Sequence, residues 1–70
     1  MPRVLMIDDE PGIRKLVTRA LSSAGFEVVC AADGTRGLQM AREGHHELVV
    51  LDLLLPGIDG VTVLRRLMEQ

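Results

Sequence analysis

Leu48-Val-Val-Leu-Asp-Leu-Leu-Leu-Pro-Gly-Ile-Asp-Gly60 is an apolar run that carries one carboxylate, Asp52, before it breaks at Pro56-Gly57. A run this short, rich in Val and Leu and closed by turn residues, reads as a strand over 48–52 that is buried on both faces. Burial on both faces belongs to parallel sheets covered by helices. A charge is costly within such a strand but tolerable at its end, where the backbone meets water. Asp52 is therefore expected at the carboxyl edge of a parallel sheet, where open α/β sheets carry their chemistry.

Outward from this stretch the pattern repeats. Arg3-Val-Leu-Met-Ile7 reads as a first buried strand with Asp8-Asp9-Glu10 at its exit. Pro11 suits the first turn of a helix, which Asp9 or Glu10 would cap with a charge that complements the helix dipole. Ile13, Leu16, Val17, Ala20, Leu21 and Ala24 recur at helical spacing with Arg14, Lys15, Thr18 and Arg19 on the other face, and Gly25 is the expected stop. Phe26 to Ala31 reads as a second strand. Asp33-Gly34 is a turn and cap signal, and Thr35 to Glu43 a helix using Leu38, Met40 and Ala41. Gly37 inside that helix costs about 1 kcal/mol relative to Ala, which marks it as the least stable element. His45-His46-Glu47 is a polar linker into the third strand. After the loop over 53–60, Val61, Leu64, Leu67 and Met68 set the inner face of a third helix capped by Asp59, with Arg65, Arg66 and Glu69 outside. Strand and helix alternate three times, which implies an α/β fold with a parallel sheet and right-handed crossovers.

Composition narrows the possible functions. Seventy residues form one small domain, 1–70, with an aliphatic core, since the chain has one Phe and no Trp or Tyr. A net charge of −2 argues against a nucleic-acid surface and against a polybasic membrane patch. The lack of exposed aromatics argues against a base-stacking platform. No apolar run approaches the ~20 residues of a membrane span, and Asp8 interrupts the amino terminus before a signal-peptide core could develop. Cys30 is alone, so it reads as a buried small thiol in a reducing, cytoplasmic setting. Met6, Met40 and Met68 read as core filler. Adjacent side chains point apart, so His45-His46 is a solvated linker rather than a shared metal site.

With the first strand central, the strand order is 2-1-3, as in flavodoxin-like doubly wound sheets. The crossover direction then reverses between the first and third strands and opens a crevice at their carboxyl ends. Asp8, Asp9 and Asp52 all arrive there. Helix capping alone accounts for Asp8-Asp9, but the addition of Asp52 favours a cation site. Three converging carboxylates repel each other and should raise a pKa unless a cation intervenes. Hard oxygen ligands suit Mg²⁺ or Mn²⁺, with water completing the octahedron. A carboxylate beside such an ion can attack a phosphoryl group while the metal neutralises charge, and the product is an acyl phosphate.

Val-Leu-Met-Ile-Asp-Asp-Glu-Pro (4–11) and Leu-Val-Val-Leu-Asp-Leu-Leu-Leu-Pro-Gly-Ile-Asp-Gly (48–60) resemble the two N-terminal signatures of receiver domains, the phosphoacceptor modules of two-component response regulators. The resemblance runs through all 70 residues at the family's spacings, including Asp33-Gly34. It implies a CheY-like three-layer αβα fold and a signalling phosphoacceptor rather than an enzyme. Asp52 matches the phosphorylated aspartate, Asp9 the direct Mg²⁺ ligand, and Asp8 the carboxylate that acts through water. Leu54 matches the position whose backbone carbonyl completes the metal site, and Pro56 and Gly60 match the loop that shapes the rim. An apolar side chain at Leu54 would not position an attacking water. A histidine kinase, or a small acyl phosphate, would be the donor.

The departures from the family are as informative. The chain ends in the third helix, so the family's Ser or Thr after the fourth strand, its Lys after the fifth, and its output face are expected to be missing. His45-His46-Glu47 replaces the more usual Pro-Asp. Phosphorylation is thus expected to be impaired, and the exposed third-strand edge and helix faces are expected to drive self-association. The alternative is a receiver-derived interaction or dimerisation module that no longer switches. A phosphotransfer enzyme of the haloacid-dehalogenase type would need an acid two residues after its nucleophile, where this chain has Leu54. No direct nucleic-acid or membrane partner is expected.

Overall fold

Arg3–Ile7 (β1), Glu27–Ala31 (β2) and Leu48–Leu51 (β3) form a parallel sheet in the order β2-β1-β3. The structure, a computed structural model, describes residues 1–52, 55, 57 and 59–69. Pro11–Ser23 (α1), Gly34–Glu43 (α2) and Gly60–Met68 (α3) complete the β-α-β-α-β-α order. The alternating α/β architecture and the 2-1-3 order of a parallel sheet are those expected from the sequence.

Register sets the layers. Leu5 pairs with Val29 and Val49, and Ile7 with Ala31 and Leu51. Alternation along a strand therefore puts this set on one face. There it packs with Leu38 of α2, Val63 of α3 and Leu55 into the main core. The other face carries Cys30, whose Sγ lies 3.4 Å from Thr18 Oγ1 of α1. So α1 covers one side of the sheet, and α2 and α3 cover the other.

Both-face burial belongs to β1 rather than to β3. Val4, Leu5, Met6 and Ile7 are buried, whereas β3 is exposed at Leu48 and half-buried beyond it. Apolar content is equally high in the two strands, but β1 sits between two neighbours and β3 at the sheet's edge. Strand β3 also ends at Leu51, which leaves Asp52 one residue past it. Cys30 is exposed rather than buried, because β2 is the opposite edge and α1 covers it incompletely. Phe26 lies outside β2, its N–H donating to Leu21 O to close α1.

Helix ends follow the capping signals. Glu10 caps α1 by accepting from the Gly12 N–H, Asp33 caps α2 through the Arg36 N–H, and Gly25 takes φ +95° just after α1. Asp59 caps α3, and the Thr62 N–H holds its carboxyl below the usual carboxylate range. At the amino end of the sheet, the Arg3 backbone N–H does the same for Glu47, while Glu47 N–H donates to Arg3 O.

Helix faces depart from the expectation. Helix α3 turns Leu67 inward as expected, but beside it Gly60 and Val63 rather than Val61, Leu64 and Met68, which are exposed, so Met68 is not core filler. Gly60 is the buried first residue of α3 rather than part of a loop. No residue of α1 is fully buried, and Ile13 and Leu16 are exposed. Gly37 lies against β1, where an added Cβ would come within 2.5 Å of Ile7 Cδ1. Its lost propensity allows this close helix–strand approach. Among the described residues, no helix is long and apolar enough to cross a membrane.

Candidate functional site

The β1–β3 pairing continues one residue beyond the strands, and this builds the site. Asp52 N–H donates to Ile7 O at 3.0 Å, and Asp8 N–H donates to Ala31 O at 3.1 Å. These two bonds carry Asp8 and Asp52 side by side over the carboxyl edge of the sheet. The crossover by α1 lies on one side of β1 and that by α2 on the other, so the crevice at this edge is a topological switch point.

Three carboxylates meet there. Asp8, Asp9 and Asp52 each offer an oxygen, and these oxygens lie within 4.8 Å of one another. Asp8 is buried, Asp52 half-buried and Asp9 exposed, so the cluster grades from the sheet toward solvent. The local chain is held firmly. Asp8 Oδ1 accepts from Glu10 N–H at 2.9 Å, and the Asp8 carbonyl accepts from Arg14 Nη1 at 2.7 Å. Arg14 was expected only on the polar face of α1. Its place at i+4 from the capping residue Glu10 is the sequence signal that puts it next to the first turn.

The donor set fits a small hard cation. Three carboxylate oxygens within 4.8 Å of one another are a hard oxygen donor set of the kind that suits Mg²⁺ or Mn²⁺. Of the other expected site residues, Leu54 and Pro56 lie outside the described residues, and Gly60 is brought to the start of α3 instead. A prominent concavity lies elsewhere. It is an open groove of about 730 Å³ between α1 and β2, lined by Leu16, Thr18 and Cys30 among others. Its charged lining is cationic, from Arg14, Lys15 and Arg19, and includes no carboxylate, so an oxygen-donor site belongs to the carboxylate crevice.

Known proteins share this fold. RpaA of Synechocystis sp., a DNA-binding dual master transcriptional regulator, is 48% identical over 67 residues, covering 96% of this chain and 28% of its own length. The response regulator TrrA of Thermotoga maritima, in complex with Mg²⁺-BeF, superposes with a TM-score of 0.96 at 38% identity, over 99% of this chain and 60% of TrrA. A structure of the histidine kinase ThkA in complex with TrrA matches with a TM-score of 0.95 at 37% identity, over 100% of this chain and 60% of that one. The chain thus spans under a third of that curated relative and about three-fifths of those solved receivers. The family model described as response regulator receiver domain matches residues 4–70. With both receiver signatures meeting at the switch point of a 2-1-3 sheet, the chain belongs to the response regulator receiver domain family of two-component systems.

Proposed function

We propose that Asp52 is the phosphoacceptor, taking its phosphoryl group from the phosphohistidine of a histidine kinase or from a small acyl phosphate. The observation that carries this reading is the convergence of Asp8, Asp9 and Asp52 oxygens within 4.8 Å at the carboxyl edge of the sheet. Asp8, Asp9 and Asp52, with the backbone carbonyl of Leu54, would hold Mg²⁺ or Mn²⁺. When bound, the ion supplies positive charge against the phosphoryl oxygens. An Asp52 carboxylate oxygen attacks phosphorus as the P–N bond breaks. The electron pair stays on the imidazole nitrogen, and an aspartyl phosphate remains. Asp9, the most solvent-facing of the three, orients the cluster toward the donor, and Asp8 is fixed by the Glu10 N–H.

The ThkA–TrrA complex supports a kinase as the donor. The chain then acts as a stoichiometric acceptor rather than a turnover enzyme, in the cytoplasm, with no nucleic acid or membrane as a direct partner. A second reading, a receiver-derived interaction module that self-associates and no longer switches, is favoured by the edge position of β3 and by exposed Leu48, Leu64 and Met68.

Intact mass spectrometry separates the two readings. Incubation with an acyl phosphate and Mg²⁺ is expected to add one phosphoryl group to the native chain and none to Asp52→Asn. A folded native chain that gains no adduct overturns the acceptor reading and leaves the interaction module.

A further inference from the structure

We infer that Arg14 is a positioning residue for the carboxylate cluster, setting the direction in which Asp9 leaves the backbone; this rests on the reading of that cluster as a divalent-cation site. The Asp8 carbonyl belongs to the peptide that joins Asp8 to Asp9. Because a peptide unit is planar, fixing that carbonyl fixes the plane from which the Asp9 Cα departs. The Asp8 residue is held on each of its other polar groups: its N–H by Ala31 O, and its Oδ1 by the Glu10 N–H. Arg14 Nη1 holds the carbonyl at 2.7 Å, at the short end for a charge-assisted bond.

Arg14 is suited to the task by its own anchoring. It is half-buried, and its backbone N–H donates to Glu10 O at 3.1 Å within the first turn of α1. Glu10 in turn caps the same turn through the Gly12 N–H. Residues 8–14 therefore form a closed loop in which strand end, cap and helix all bear on one peptide. Asp9, the exposed member of the trio, rides on that peptide.

A fixed cation near a metal site also repels the metal. The positioning role and the purely electrostatic role thus predict opposite signs when the charge is removed. If Arg14 acts as a charge alone, a neutral residue tightens Mg²⁺ binding. If it holds the peptide, a neutral residue weakens it.

Calorimetric titration of the chain with Mg²⁺ decides this, run on the native protein, Asp9→Asn, Arg14→Met and Arg14→Lys, beside metal-free melting curves. Arg14→Met is expected to bind about tenfold more weakly, as for the loss of an outer-shell partner. Arg14→Lys should fall between it and the native chain with an unchanged melting temperature, since an ammonium can reach the carbonyl but lacks the planar fork. Equal or tighter binding by Arg14→Met overturns the inference. If Arg14→Met does not fold, Arg14→Lys decides, and native-strength binding there overturns it. A native chain that fails to bind Mg²⁺ overturns the cation site itself. Native binding that is lost in Asp9→Asn but indifferent to Arg14 overturns only the role of Arg14.

Discussion

At position 37, helix propensity and packing disagree. Ala would favour the helix by about 1 kcal/mol over Gly. Its Cβ, however, would come within 2.5 Å of Ile7 Cδ1 and 2.7 Å of Ile7 Cγ1, atoms of a fully buried side chain with little room to yield. Overpacking of this kind costs about 1–3 kcal/mol. Gly37→Ala is therefore expected to destabilise the fold by about 1 kcal/mol net, read by urea unfolding. An Ala variant as stable as the native chain would mean that α2 is free to move off β1. Ile7 directly precedes Asp8, so the same close approach fixes the strand end that carries the carboxylates. Cys30 teaches the converse. Its strand was legible, but the exposure of its thiol depends on how far α1 extends over an edge strand.

At the scale of elements, α3 shows why periodicity alone was insufficient. Val61, Leu64 and Met68 form one stripe at i, i+3 and i+7; Gly60, Val63 and Leu67 form another, one residue away. Both satisfy helical spacing, and only the position of α3 against α2 and the sheet selects the second. Val63 is fully buried while Leu64 is 43% exposed. Val63→Ala is accordingly expected to cost about 2 kcal/mol, and Leu64→Ala about 0.5 kcal/mol or less. Chemical denaturation of the two variants checks the order. Equal losses would show that α3 is rotated from its described position. The caps, by contrast, needed no tertiary information, because Asp33 and Asp59 act on N–H groups three residues ahead in their own chain.

At the scale of the whole molecule, the sheet has two edges and unequal cover. Strand β3 is an edge with Leu48 exposed, and Leu16, Leu64 and Met68 add exposed apolar surface on the helices. Edges and patches of this kind invite association. Sedimentation velocity is expected to give a mass above that of one chain, reduced by Leu48→Lys together with Met68→Lys. A native chain that sediments as a monomer at high concentration would sink the self-association reading, while leaving the phosphoacceptor reading intact.

Local patterning carries much of this protein. Alternating apolar runs, Pro11, Gly25, Asp33 and Asp59 mark the elements and their ends. The acids at 8, 9 and 52 mark the strand exits, since a charge following a buried run is stable only where the backbone emerges. The short-range physics of propensity, capping and desolvation acts within a few residues and can be read along the chain. What only the tertiary structure decided is which strand is buried on both faces, which of two equivalent stripes of α3 turns inward, that Cys30 stays open, and that Arg14 reaches back to the Asp8 carbonyl. Each depends on what lies across from a residue, and that is set by the order of strands and the lateral placement of helices rather than by the spacing of neighbours in sequence.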